Sequence, residues 1–193
     1  MRIVAGEFRG RALAAPAGDG TRPTTDRVRE ALMSSLFSLR GGWDDAVVLD
    51  AFAGSGALGL EALSRGARSA VFFEQDRKAA EVVRGNVRKC KVDSRRARVV
   101  CRDVMKADLS LFGAPFNLVF LDPPYADAAA DIVSLVQRGY ASGGIDPHAV
   151  VVYEHALKDA PDVASCIEEA GFSLVGTRKY GKTGVTLFVA PSA

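Results

Sequence analysis

From residue 46 onward the chain alternates short, almost unbroken apolar runs with longer stretches in which apolar residues recur at helical spacing. The runs 46–50 (AVVLD), 69–74 (SAVFFE), 97–101 (ARVVC), 116–121 (FNLVFL) and 149–153 (AVVVY) are rich in β-branched and aromatic residues. Near-continuous apolarity over five or six residues marks strands buried on both faces, as in a parallel sheet. The stretches near 57–65, 76–90, 126–138 and 161–170 are compatible with helices, and the alternation predicts a doubly wound α/β sheet. Two further strand candidates, 172–178 and 184–189, are joined by KYGKTG. So short a link cannot make a parallel crossover, so the last strand is predicted to run antiparallel.

A different pattern precedes the sheet. Residues 2–14 alternate around Gly6 and Gly10 and predict a short hairpin. Residues 26–39 place Val28, Ala31, Leu32, Ser35, Leu36 and Leu39 on one helical face, with Thr24, Thr25 or Asp26 as the N-cap. The expected organisation is a hairpin-plus-helix extension over 1–40, facing RNA, followed by one α/β domain over 41–193.

Composition narrows the class. Of 193 residues, 48% are apolar and 25% charged, which fits a soluble globular domain and argues against disorder, collagen or coiled coil. No run reaches the roughly 18 apolar residues of a membrane span, and MRIVAGEFRGRAL lacks the apolar core of a secretory signal. Three cysteines without a CxxC pair and two histidines complete no metal spacing, so a reducing cytosol and metal-free chemistry are expected.

The net charge of +2 conceals a segregation. Residues 1–40 hold seven basic and four acidic groups (+3), 84–98 seven and one (+6), and 178–182 three and none (+3), leaving −10 elsewhere. Such separation suits an acidic partner such as nucleic acid, although for 84–98 a solvated face explains it equally well.

The run AVVLD leads directly into AFAGSGALGLEAL, in which Gly54, Gly56 and Gly59 satisfy G-x-G-x-x-G between a strand and a helix. Taken alone, that spacing suggests a dinucleotide site. Asp50 at the strand tip argues otherwise, because a carboxylate there repels a diphosphate and suits a cationic ligand. The glycines also come late, giving D-x-F-x-G-x-G with Phe52 inside the motif. This loop resembles that of S-adenosylmethionine-dependent methyltransferases. By that resemblance Glu74 binds both ribose hydroxyls and Asp103 receives the adenine amino group.

The fourth run ends in Asp122-Pro123-Pro124-Tyr125. Two prolines end both sheet and helix, so the chain turns away in a fixed conformation at the C-terminal edge, where open α/β sheets bind ligands. A carboxylate, a proline-locked carbonyl and an aromatic ring suit methylation of an exocyclic amino group. Asp122 and the Pro123 carbonyl would accept its two N–H bonds while Tyr125 stacks on the base, so catalysis rests on positioning and electrostatics. A base within a duplex cannot reach such a pocket and must be flipped out or already unpaired.

Together, RIVAGEFRGRAL, TRPTTDRVREAL (21–32), DAFAGSGALGLEALSRGA (50–67), FFEQD, LDPPY and YGKTGVTLF resemble the bacterial RsmD-type methyltransferases. The resemblance spans nearly the whole chain. It implies a Rossmann-like class I methyltransferase sheet acting with S-adenosyl-L-methionine on a guanine N2 amino group of 16S rRNA or a small-subunit assembly intermediate. It further implies cofactor contacts at Asp50, Phe52, Gly54, Gly56, Glu74 and Asp103, and target-base contacts at Asp122, Pro123 and Tyr125. Arg22, Thr24, Asp26 and Arg27 are implied near the pocket. Lys179 and Lys182, in the turn after the sixth strand, are expected on the active rim. The 84–98 run belongs to the opposite rim, as a distal backbone contact or a solvated surface. A cytoplasmic monomer without membrane or metal is expected. The rivals are a DNA adenine-N6 or cytosine-N4 methyltransferase, a glutamine methyltransferase, a nicotinamide-dependent oxidoreductase and a non-catalytic RNA-binding scaffold.

Overall fold

The computed structural model describes residues 1–16 and 26–190, which fall into two units, residues 1–104 and 105–193. In the first unit, β1 (Val47–Asp50), β2 (Ser69–Phe73) and β3 (Ala97–Val100) are parallel in the order β3-β2-β1, with Asp50 level with Phe72. The connections are α2 (Ala57–Ser64) and α3 (Arg77–Lys89), preceded by α1 (Asp26–Arg40). The strand cores Val48, Leu49, Phe72 and Phe73 are fully buried, as the unbroken apolar runs predict.

In the second unit β4 (Phe116–Leu121) and β5 (Ile145–Ala156) are parallel, while β7 (Thr183–Val189) runs antiparallel to both β5 and β6 (Ser173–Tyr180). The crossovers are α4 (Ala129–Ala141) and α5 (Ala160–Glu169). The expected α/β class, mostly parallel with an antiparallel last strand, is the observed one. Two boundaries move. The helix expected over 126–138 begins at Ala129, because the tetrad turn runs on to Asp127, whose amide bonds to the Pro124 carbonyl. The fifth strand is longer than 149–153: it starts at Ile145, and its register with β4 slips beside Pro147, which has no amide for the ladder.

The N-terminal hairpin forms as a single antiparallel bridge, Arg2 to Ala12, with Ile3, Phe8 and Leu13 buried. It is pinned by α2. Glu61, with no solvent exposure, accepts the Val4 and Ala5 amides at 2.8 and 3.0 Å and pairs with Arg65 at 2.9 Å. Ser64 adds bonds to the Phe8 amide and the Ala5 carbonyl. Gly6 is obligatory, since a Cβ there would overlap the Ser64 carbonyl.

The face of α1 differs from the expected one. Leu39 is exposed, Val28, Ala31 and Ser35 are half-buried, and the buried stripe is Arg29, Leu32, Met33 and Leu36. The cause is Arg29, whose guanidinium donates to the Arg2 carbonyl and Asp26 and lies 3.5 Å from Glu61. An apolar count cannot anticipate a charged residue that takes a core position because its partner is already there. Of the N-cap candidates, Thr24 and Thr25 lie outside the described residues, and Asp26 is the first residue of the helix.

Removing one partner of a buried ion pair strands the other. Arg29→Met should therefore lower unfolding free energy by about 3 kcal/mol, read as a reduced urea midpoint at unchanged slope. A midpoint shift no larger than that of Arg27→Met, an exposed neighbour, would refute the role assigned to Arg29.

Candidate active site

In the first unit the site grows from the tip of β1. Asp50 is 2% exposed, and its Oδ2 accepts the Gly59 amide at 3.0 Å, so a carboxyl group satisfies one of the free N–H groups in the first turn of α2 from within the protein. Burial pushes the Asp50 carboxyl up to about 7; the Gly59 bond opposes that rise and the nearby Glu74 charge adds to it. Between Asp50 and α2 the loop turns through left-handed backbone at Gly54 (φ 55°) and Gly56 (φ 76°). The third glycine has another purpose. A Cβ on Gly59 would lie 2.4 Å from the Phe72 ring and 3.1 Å from the Asp50 carboxylate, so only glycine lets the helix close onto both.

Glu74, half-buried just past β2, accepts the Gly54 amide at 2.9 Å through one oxygen and the Asp76 amide at 2.8 Å through the other. These bonds fix the carboxylate against the glycine loop and leave each oxygen a lone pair for an incoming hydroxyl. Asp103 is half-buried after β3, and Phe52 half-buried within the loop.

One organiser of this loop escaped the sequence reading. Asn86, 1% exposed, donates to the carbonyls of Ser55 (2.8 Å) and Ala14 (2.9 Å) and accepts the Ala14 amide. It clips the loop to the N-terminal segment. The available signal was an amide in the buried stripe Ala79, Ala80, Val83, Asn86, where only a residue with satisfied hydrogen bonds belongs; the surrounding charges of 84–98 masked it.

In the second unit the tetrad leaves β4 with Asp122 exposed, Pro123 buried and Tyr125 55% exposed. The Tyr125 hydroxyl lies 3.3 Å from Thr183 Oγ1, which holds an otherwise free ring against the start of β7. A pocket of about 370 Å³ opens here, bordered by Pro123, Pro124, Tyr125, Tyr153, Glu154 and His155 among others. His155 Nδ1 donates to the Ala156 carbonyl at 3.0 Å, so in the neutral ring Nε2 accepts from Thr186 at 2.8 Å, and Thr186 pairs onward with Thr177. The ring packs so closely over β7 that a Cβ on Gly184 would come within 2.4 Å of it, which explains the glycine of KTG. Burial, with minor help from Cys166, Asp127 and Asp159, raises the Tyr153 hydroxyl to about 12, so it stays a donor at neutral pH.

The proposed substrate contacts are less concentrated. Arg22 and Thr24 lie outside the described residues; Asp26 is held by Arg2 and Arg29, while Arg27 is exposed. Lys182 lies in the hairpin turn after Gly181 and Lys179 within β6, both exposed. The 84–98 run is partly structural. Arg96 donates to the carbonyls of Leu63 and Ala67, Arg95 pairs with Asp93 and Arg84 with Glu81. Arg88, Lys89 and Lys91 are exposed. Among the described residues no cluster of His, Cys, Asp and Glu could hold a metal ion, and no helix is long and apolar enough to cross a membrane.

Comparison with known proteins gives one consistent set. The family described as Conserved hypothetical protein 95 matches residues 1–189. YlbH of Bacillus subtilis, whose name describes an rRNA methyltransferase, is 36% identical over 97% of this chain and 98% of its own length. Ribosomal RNA small subunit methyltransferase D of Haemophilus influenzae is 34% identical over 93% of each chain. Its Escherichia coli K12 namesake is 47% identical over 65% of this chain and 60% of its own. Of solved structures, Escherichia coli yhhF matches with a TM-score of 0.77 at 34% identity over 99% of each chain. The sheet is the Rossmann-like sheet of class I methyltransferases.

The Asp50 carboxyl yields a signed expectation. Because its folded pKa is raised from 3.8 to about 7, its favourable share of stability is complete below pH 4 and is lost as pH rises through 7. That loss is on the order of 4 kcal/mol. Asp50→Asn keeps an acceptor for Gly59, so the variant should gain on wild type between pH 4.5 and 7.5 in denaturant unfolding. Parallel stability profiles for the two proteins would contradict the buried-acid assignment.

Proposed function

The chain belongs to the RsmD-type methyltransferase family, and from that premise we propose that it transfers a methyl group from S-adenosyl-L-methionine to the exocyclic N2 of a guanine in 16S rRNA. The observation that carries this reading is the Asp122-Pro123-Pro124-Tyr125 turn at the tip of β4, with its ring tethered to Thr183 beside an open pocket. The names of the relatives favour ribosomal RNA over DNA as the substrate. A glutamine methyltransferase would start the tetrad with Asn, where this chain has Asp122.

The residues of the first unit fit the proposed methyl donor. Gly54 has open space where a Cβ would be, leaving room for a ligand against the backbone. The Glu74 carboxylate is oriented with lone pairs to spare for a ribose. Asp50, poised near neutrality, gains charge when a cationic amino-acid group approaches. Asp103 and Phe52 complete the set at the adenine and along the loop. When bound, S-adenosylmethionine supplies an electrophilic methyl group on a sulfonium.

The second unit acts on the nucleophile. An exocyclic amine is unreactive because its lone pair is shared with the ring. Asp122 and the Pro123 carbonyl accept its two N–H bonds, which favours a pyramidal nitrogen, and Tyr125 stacks on the flipped base. As the new N–C bond forms, the amine gives up one proton to Asp122 or water. Arg22, Thr24, Asp26, Arg27, Lys179 and Lys182 serve RNA placement, and the enzyme works as a cytoplasmic monomer on rRNA or an assembly intermediate.

Tritiated-methyl transfer to naked rRNA and to assembled small subunits, followed by nucleoside analysis, should yield N2-methylguanosine with one of them; its absence from both would overturn the reading. Asp122→Ala should reduce turnover by at least about 100-fold while calorimetry shows S-adenosylmethionine binding unchanged.

A further inference from the structure

We propose that the C-terminal end of α3, where Arg88, Lys89 and Lys91 are exposed beside Arg11 of the hairpin, is a docking surface for the phosphodiester backbone of the RNA substrate; this rests on the rRNA reading above. Of the seven basic residues in 84–98, four are engaged within the protein. Arg84 pairs with Glu81, Arg95 with Asp93, Arg96 with the Leu63 and Ala67 carbonyls, and Arg98 is also engaged. The side chains of Arg88, Lys89 and Lys91 are exposed and make no hydrogen bond or ion pair with the described residues. Asp93, the nearest acid along the chain, is already held by the Arg95 guanidinium at 2.7 Å. The hairpin adds a fourth cation. Arg11 donates to the Lys89 carbonyl at 3.3 Å while its guanidinium lies 5.2 Å from the centre of the Phe8 ring. Burial pushes the Cys90 thiol up, and Arg11 and Lys89 both lie near enough to oppose that rise.

The backbone supplies an independent sign. Helix α3 ends in a paired turn, with the Lys91 amide bonded to the Arg88 carbonyl at 2.9 Å and the Val92 amide to the Val87 carbonyl at 3.3 Å. The residue after the cap of such a turn takes left-handed backbone, a place that glycine usually fills. Here it is Lys91, with φ 52°, the only non-glycine residue of positive φ among the described residues. The helix dipole does not require it, since Arg88 and Lys89 already stand in the last turn. The make-up of the surface selects the partner. Protein interfaces are built on aromatic and apolar anchors and are poor in lysine, whereas phosphates are met by Arg and Lys. The exposed large apolar residues are Met1, Phe37, Leu39, Leu111, Tyr125 and Val175, none of them on α3 or its closing turn. The 13 residues of α3 span about 20 Å, so the surface stands one helix length from the Glu74 end and holds RNA away from the cofactor loop.

Filter binding of a 16S rRNA transcript over a salt series tests the surface. The triple variant Arg88→Gln, Lys89→Gln, Lys91→Gln should bind at least about tenfold more weakly at low salt, and its log–log salt slope should be shallower by roughly two. On whichever substrate is methylated, KM should rise with kcat and S-adenosylmethionine affinity unchanged. Lys91→Gly separates charge from fold: it relieves the left-handed backbone, so its unfolding midpoint should not fall, while its salt slope drops by about one. A wild-type slope in the triple variant overturns the proposal. So does an equal loss from Arg68→Gln with Lys158→Gln, two exposed cations elsewhere, or a wild-type protein that does not bind the transcript. The nucleoside analysis is a separate readout: N2-methylguanosine formed by wild type alongside an unchanged triple-variant slope removes this surface alone. Absence of that product with the slope change present removes the guanine-N2 reading and leaves the RNA contact.

Discussion

The buried carboxylate of Glu61 joins what would otherwise be three separate pieces. A charge without solvent must be met by donors, and here they come from the N-terminal hairpin amides, from Arg65 one turn later on α2, and from Arg29 on α1. The hairpin has a single backbone bridge and would be marginal alone. Anchored on Glu61 and Ser64, it becomes part of the first unit. Arg29 in turn fixes Asp26 and the Arg2 carbonyl, so the beginning of α1 is set by the same charge. The RIVAG and DRVRE segments are thus bound by a structural demand.

That anchoring reaches the glycine loop. The N-terminal segment ends at Ala14, where Asn86 takes both its amide and its carbonyl while also holding the Ser55 carbonyl. On the loop's other side Asp50 and Glu74 grip the amides of Gly59 and Gly54. The loop is therefore held from strand tips, helix and terminus before any ligand arrives, which is how a site avoids an ordering penalty on binding. The same arrangement leaves Asp50 in conflict with its surroundings. A buried acid with a pKa near 7 weakens the free protein at neutral pH and is relieved by a positive ligand. The local instability and the cation affinity proposed for this loop have one physical origin.

Much of the fold and part of the candidate site are legible in the amino-acid sequence. Strand runs of continuous apolar residues landed within a few positions of β1–β4 and β6–β7, because double-sided burial is written locally. Misplaced edges occurred where a local rule met a tertiary one: β5 runs beyond its apolar center through a slip at Pro147, and α4 waits until the tetrad turn has closed. Within the site, the D-x-F-x-G-x-G and DPPY spacings were readable because a backbone turn constrains neighbours. Glu61 and Asn86 were not. Each matters through a residue distant in sequence, and a polar residue inside an apolar stripe looks like noise until its partner is known.

The sequence by itself therefore determined the strand and helix order, the antiparallel end of the sheet, the loop after β1 and the turn after β4. Each of these follows from hydrophobic period, chain length between strands, or the stereochemistry of Gly and Pro, all properties of contiguous residues. Tertiary structure alone decided which face of α1 is buried, why Gly59 and Gly184 must lack a side chain, and which arginines of 84–98 support the fold. Those outcomes depend on the proximity of Arg29 to Glu61, of Phe72 to α2, of the His155 ring to β7 and of Arg96 to the Leu63 and Ala67 carbonyls. Close approach between distant segments is a property of packing, and no pattern along the chain encodes it.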